Sequence, residues 1–255
     1  MNETTLSFLR TSRKVLQTLL EPVDATTRLV NCKHNYPSLP LRQAVGNLSD
    51  FEGSCGEYVA YLKLLCNLQP GDDLLDVGCG CGTILMDVTG QGSLADILGT
   101  YEGYDIDDRA VNWANAHLGR DNTWFHTPGP SGLDYFRSSC FDVALCKSLF
   151  THLQPADTER YLTQIYRMLK NGGRCLSTWF LLNGQPLLGK YTFPYVKELF
   201  ALQRDTKPSL AVAYGLNYVT DLLASIGFSY HVWYGNWRGS GKGLSFQDII
   251  ILEKG

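Results

Sequence analysis

Residues 73–82 run Asp73-Leu74-Leu75-Asp76-Val77-Gly78-Cys79-Gly80-Cys81-Gly82, and this stretch decides the fold. A short run rich in Leu and Val, closed by glycine, suits a strand buried on both faces of a parallel sheet. Glycines at 78, 80 and 82 let the backbone turn sharply and approach a ligand where a Cβ would collide. Such a turn lies at the carboxyl edge of the sheet, where open α/β proteins bind ligands. The chain beyond it predicts a helix over Ile84 to Val88.

The same grammar repeats outward from this point. Tyr101 to Ile106, Phe141 to Cys146 and Arg174 to Leu182 read as further buried strands, with helical segments at Asp108–His117 and Ala156–Leu169. Strands alternating with helices imply βαβ units with right-handed crossovers. After Leu182 the alternation breaks. Residues 183–215 carry Gly184, Pro186, Gly189, Pro194 and Pro208 around a predicted helical patch, Tyr195 to Leu202, and read as an insertion over one end of the sheet. A helix at Tyr218–Ile226 and strands at Phe228–Tyr234 and Phe246–Leu252 follow, the last two joined by a glycine-rich turn and therefore antiparallel. Upstream, Leu6, Leu9, Val15, Leu16, Leu19 and Leu20 share helical spacing, and a second helix fits Gly56 to Leu68. The expected organisation is one domain: a helical cap at 1–70, a ligand-binding core at 71–182, the insertion, and a closing segment at 216–255.

Composition narrows the function. The 255 residues are 44% hydrophobic and 18% charged, a globular balance. With 22 basic against 25 acidic side chains there is no basic excess to hold a nucleic acid. No apolar run reaches the roughly 18 residues of a membrane span, and the first twenty residues lack the order of a signal peptide. The eight cysteines sit in apolar segments, where a thiol packs as a small hydrophobe. A reduced, cytoplasmic protein with no metal site is expected, and the sequons at Asn2 and Asn47 would then be silent.

The ligand follows from register and charge. Position 83 is Thr, so the Gly-x-Gly-x-x-Gly spacing of a dinucleotide site is not met. Asp76 at the strand end would repel a phosphate and attract an ammonium group. Asp105 ends the second strand, placed to accept hydrogen bonds from ribose hydroxyls, with Ile106 beside it to pack on a flat purine.

Four segments in order, LLDVGCGCG (74–82), YEGYDID (101–107), FDVALCKSLFTHL (141–153) and YLTQIYRMLKNGGRCLSTWFLL (161–182), resemble the motifs of class I S-adenosylmethionine-dependent methyltransferases. The resemblance implies a Rossmann-like α/β fold: a seven-stranded, mostly parallel sheet flanked by helices, with its last strand antiparallel. It implies that Gly78, Cys79, Gly80 and Gly82 line the methionine part of S-adenosyl-L-methionine, with Asp76 near its ammonium. Asp105 would hold the ribose and Ile106 would flank adenine. Cys146 and Lys147 would face the sulfonium. The family's acid after the third strand is missing, and His126 or Thr127 stands in its place.

Methyl transfer from a sulfonium needs alignment in a dry pocket more than acid–base chemistry. A hydroxyl or protonated amine nucleophile adds the need for a base; the candidates are His152, which could instead cap the next helix through its ring, and the acids and histidines of the insertion or N-terminal region. The residues after the fourth strand, Cys146-Lys147-Ser148-Leu149, lack the Asn/Asp-Pro-Pro-aromatic turn of amino-methylating nucleic-acid enzymes. A small-molecule acceptor is therefore expected, by O-methylation of a sugar or secondary metabolite. Tyr191, Phe193, Tyr195, Phe200 and Tyr214 would supply aromatic walls. A small amine acceptor, or a non-catalytic module on the same scaffold, are the alternatives.

Overall fold

The computed structural model describes residues 19–31, 36–45, 51–86, 92–128, 132–133, 136–184, 191–239 and 241–255, with the backbone alone for 51–55. The expected stripe from Leu6 to Leu16, both sequons and Cys32 lie outside the described residues, as does the side chain of Cys55.

Strands β1 (Asp73–Val77), β2 (Thr100–Tyr104), β3 (Thr123–His126), β4 (Phe141–Cys146) and β5 (Leu169–Trp179) are joined by β10 (Phe228–Trp233) and β11 (Asp248–Lys254) in one seven-stranded sheet. Its order is β10-β11-β5-β4-β1-β2-β3, parallel except for β11, which runs antiparallel to both neighbours. Side chains alternate between two cores. Leu75, Val77, Ala144, Cys146, Cys175, Ile250 and Leu252 face one, while Leu74, Val143, Leu145, Leu176, Ile249 and Ile251 face the other. Both faces are dry, so the strands read as continuous apolar runs.

Helices cover each face. On the first lie α4 (Pro155–Met168) and α5 (Leu216–Ile226), which bury Leu162, Ile165, Met168, Val219 and Leu223. On the second lie α2 (Phe51–Leu65) and α3 (Asp108–Leu118), with Tyr58, Leu62, Val111 and Ala114 inward. A short α1 (Leu39–Val45) precedes them, and residues 19–30 are helical.

Three expectations are corrected. The helix after the glycine loop is a single 3-10 turn, Thr83–Leu85, with Met86 already extended. Ile84 and Leu85 sink into the core, and the Ser93 hydroxyl donates to the Leu85 carbonyl (2.6 Å), which ends the turn. Residues 87 and 88 lie outside the described residues. The predicted helical patch at 195–202 is instead a hairpin of β7 (Tyr195–Val196) and β8 (Phe200–Leu202). It joins β6 (Leu181–Leu182) and β9 (Val212–Gly215) in a second sheet ordered β6-β9-β8-β7. Pairing of Phe200 with Tyr214 and Leu202 with Val212 overrides the local helical spacing. Finally, β5 begins five residues early. Leu169 pairs with Phe141, and a bulge across Asn171-Gly172-Gly173 lets Arg174 resume opposite Val143.

The second sheet is tied down at Asp248, a residue the sequence reading did not single out. Its fully buried carboxylate accepts from Leu181 N (2.7 Å), Gly235 N (2.8 Å), Trp237 Nε1 (2.7 Å) and Arg238 Nη1 (3.0 Å). Four donors compensate its desolvation. Replacing Asp248 by Ala strands a buried guanidinium and is expected to cost about 3–5 kcal/mol of stability, measurable by urea denaturation.

Candidate active site

The glycine loop is held from below by β2. Gly78 N (2.7 Å) and Cys79 N (3.1 Å) both donate to the Tyr104 carbonyl, and Gly80 N donates to Asp105 Oδ2 (2.8 Å). Gly82 N closes the loop on the Cys79 carbonyl (2.9 Å). Gly78, Gly80 and Gly82 all have positive φ. A Cβ on Gly82 would also lie 2.6 Å from the Phe125 ring. These four N–H groups are engaged inside the protein, which leaves the loop few donors for an anion. Nor does a regular helix start after it to lend a positive dipole end. Both facts disfavour a pyrophosphate and suit a cationic group.

Asp76 lies beneath this loop, 3% exposed, accepting a hydrogen bond from Tyr101 Oη (2.8 Å). Burial pushes its carboxyl up to about 7; the Tyr101 hydrogen bond and the Lys147 charge pull the other way, and Asp105 adds to the rise. Because the unfolded carboxyl ionises near pH 4 and the folded one near 7, stability declines across that window and is level above it. The loss is of order 4 kcal/mol. An ammonium bound nearby would offset it. Lys147 Nζ lies 4.8 Å over the Tyr58 ring, and its carbonyl lies 3.9 Å from where a Gly78 Cβ would stand. The end of β4 thus adjoins the loop. Asp105 sits at the end of β2, its Oδ1 accepting from Asp107 N (2.9 Å), and Ile106 beside it is 78% exposed.

Other expected site residues are engaged elsewhere. The Cys79 thiol is buried in the core, in the space that Gly103 leaves open. Only its main chain belongs to the loop surface. Cys146 ends β4 with its thiol in the opposite core, 3.8 Å from Cys175 Sγ, so its side chain does not face the crevice. The His126 ring is hydrogen-bonded through Nε2 to Glu102 on the neighbouring strand and stands edge-on to Phe136 (5.7 Å). His152 is exposed, and its Nδ1 engages the Ser209 carbonyl (2.9 Å), fastening the loop after β4 to the insertion. A carbonyl only accepts, so Nδ1 carries a proton in that bond, and in the neutral ring Nε2 holds the lone pair. Burial pushes the Cys81 thiol up to about 12 and raises that of the fully buried Cys79 as well, so both stay protonated at neutral pH. Among the described residues no group of three or more His, Cys, Asp or Glu is arranged to hold a metal.

The aromatic residues of the insertion divide. Phe193 and Tyr214 are buried, Tyr214 Oη bonding the Leu153 carbonyl (2.6 Å), and Phe200 packs on the core. Tyr191 and Tyr195 stay exposed, and Tyr191 meets Phe246 of the closing segment beside Phe180, their ring centroids 5.2 Å apart.

Residues 75–177 match a family model described as a methyltransferase domain. Phosphoethanolamine N-methyltransferase 2 of Caenorhabditis elegans is 26% identical over 131 residues, which is 50% of this chain and 28% of that protein. The match therefore spans little more than a quarter of that relative. Among solved structures, the PH0226 protein from Pyrococcus horikoshii superposes with a TM-score of 0.56 at 15% identity, covering 83% of this chain and 93% of that one. Phosphoethanolamine N-methyltransferase 2 of Haemonchus contortus, solved with phosphomonomethylethanolamine and S-adenosylhomocysteine, gives 0.50 at 20% identity, over 69% and 38%. These likenesses show the fold. Asp76→Asn is expected to raise the melting temperature at pH 8 by removing a buried charge. It is also expected to flatten a rise in S-adenosylhomocysteine affinity as pH climbs through about 7, measured by titration calorimetry.

Proposed function

We propose that residues 75–177, which match a methyltransferase-domain model, form a class I S-adenosylmethionine-dependent methyltransferase domain, and that this chain methylates a small-molecule acceptor. The observation that carries the reading is the loop chemistry. N–H groups at Gly78, Cys79, Gly80 and Gly82 are consumed internally, an ionisable acid lies under the loop, and a second acid ends β2. That arrangement fits the ammonium and ribose ends of S-adenosylmethionine. When bound, the cofactor supplies a methyl group on a positively charged sulfur, which takes the carbon–sulfur electron pair as the acceptor's lone pair bonds to carbon. In this reading Asp76 balances the ammonium and Asp105 accepts from the ribose hydroxyls. Ile106 offers an apolar face to adenine, and Lys147 borders the reacting end.

The acceptor is read as a hydroxyl of a sugar or secondary metabolite, with Tyr191 and Phe246 as the exposed apolar wall. The proton released on O-methylation is assigned to Nε2 of His152, whose Nδ1 is held by Ser209. In the same reading, 1–70 caps the sheet and 183–215 covers the acceptor side. A second reading, N-methylation of a small amine, is favoured by the name of the Caenorhabditis elegans relative.

Two measurements test these assignments. Asp105→Ala is expected to weaken S-adenosylhomocysteine binding tenfold or more, and undiminished affinity removes the ribose assignment. His152→Gln is expected to lower kcat about 100-fold at unchanged S-adenosylhomocysteine affinity. A fall in melting temperature with kcat intact would leave the ring as a fastener only.

A further inference from the structure

Ser148 follows Lys147 at the carboxyl end of β4, and it is one of three described non-glycine residues with positive φ (55°). Serine seldom adopts this conformation unless its surroundings impose it. Here they do. Ser148 N donates to Thr178 Oγ1 (2.7 Å), Ser148 Oγ donates to Gln247 Oε1 (3.1 Å), and Thr178 Oγ1 donates to the same Oε1 (2.6 Å). The three residues stand at the ends of β4, β5 and the segment entering β11, three adjacent strands of the sheet.

This clasp fixes the amide of Gln247. With Oε1 receiving both hydroxyls, the NH2 group is left without a protein partner among the described residues, and it is not sealed from solvent. Ser148 Oγ, having given its proton to Gln247, keeps its acceptor lone pairs. An uncharged donor and an uncharged acceptor thus sit side by side, next to the end of β4 that adjoins the glycine loop. A hydroxyl group, which both donates and accepts, satisfies such a pair. An ammonium offers donors only and a phosphate acceptors only.

We propose that Gln247 and Ser148 together form an acceptor-positioning site selecting a vicinal diol. One hydroxyl would be held by Gln247 Nε2 and Ser148 Oγ while its neighbour is presented for methylation. The inference rests on the methyl-transfer reading above and narrows its acceptor to an oxygen nucleophile with an adjacent hydroxyl. Bond-making and bond-breaking are as already described, with the proton of the reacting hydroxyl leaving to His152. Gln247 and Ser148 only orient, since neither takes a proton at neutral pH.

The test uses the full chain with methyl-labelled S-adenosylmethionine and three acceptors: catechol, methyl α-glucopyranoside and phosphoethanolamine. Transfer to at least one of the two diols is expected. Gln247→Glu keeps an oxygen for the Ser148 and Thr178 hydroxyls but removes the donor, so it reports on positioning rather than folding. It is expected to raise the diol KM tenfold or more, with kcat changed less than threefold and S-adenosylhomocysteine affinity within twofold; Gln247→Ala should match it. Diol methylation with KM unchanged in both variants overturns the assignment of Gln247. Cofactor binding with transfer to phosphoethanolamine alone, or to no member of the panel, overturns the diol class. Failure of the wild-type chain to bind S-adenosylhomocysteine at all overturns the function proposed above, and this inference with it.

Discussion

The carbonyl of Tyr104 and the carboxylate of Asp105 hold the glycine loop from the next strand, and the site is built on that grip. Three N–H groups of the loop are fixed by two consecutive residues at the end of β2. Because those donors are used, the loop can offer a ligand little positive potential. The nearby charges that define its chemistry are instead Asp76 below, Asp105 beside and Lys147 across from it. A desolvated carboxylate with a single hydroxyl partner is costly to keep ionised, and a cationic ligand repays that cost. The same economy explains why Gly103 and Gly82 lack side chains. Both leave room for Phe125, whose ring lies 2.7 Å and 2.6 Å from where their Cβ atoms would stand.

Beyond the loop, polar clasps join an apolar cluster of Phe180, Phe193 and Trp237 in holding the second sheet to the first. Asp248 gathers the start of β6, the turn after β10 and the Arg238 guanidinium at one buried point. Ser209 takes the ring of His152, and Val212 N bonds the Thr151 carbonyl (2.8 Å), so the loop after β4 is stitched to the second sheet. One residue away from Asp248, Gln247 joins Thr178 and Ser148. The tie that closes the fold and the clasp at the end of β4 therefore come from neighbouring positions. A shift of β11 would disturb both.

Most of the sheet was legible because its signal is local. Leu74, Leu75 and Val77, like Phe141 to Cys146, are apolar on both sides, and only a doubly covered strand accommodates that. The loop glycines and Asp105 were legible for a similar reason, since their spacing to adjacent strand ends is short and rigid. The helical patch at 195–202 misled because its residues have no strong preference of their own. Its hairpin exists through pairing with Val212 to Tyr214. The truncated turn after Gly82 was equally hidden, being ended by a hydroxyl eight residues from the carbonyl it caps.

The sequence by itself determined the alternation of strands and helices, the antiparallel last pair and the position of the loop, because each depends on residues close along the chain. Only the tertiary structure decided where individual side chains were spent. It turned Cys146 and Cys79 into the cores, gave His126 to Glu102, and brought Ser148, Thr178 and Gln247 together across 99 residues. A hydrogen bond forms between atoms a few ångströms apart whatever their separation in sequence, and nothing in the one-dimensional pattern records which distant partner a polar side chain will meet.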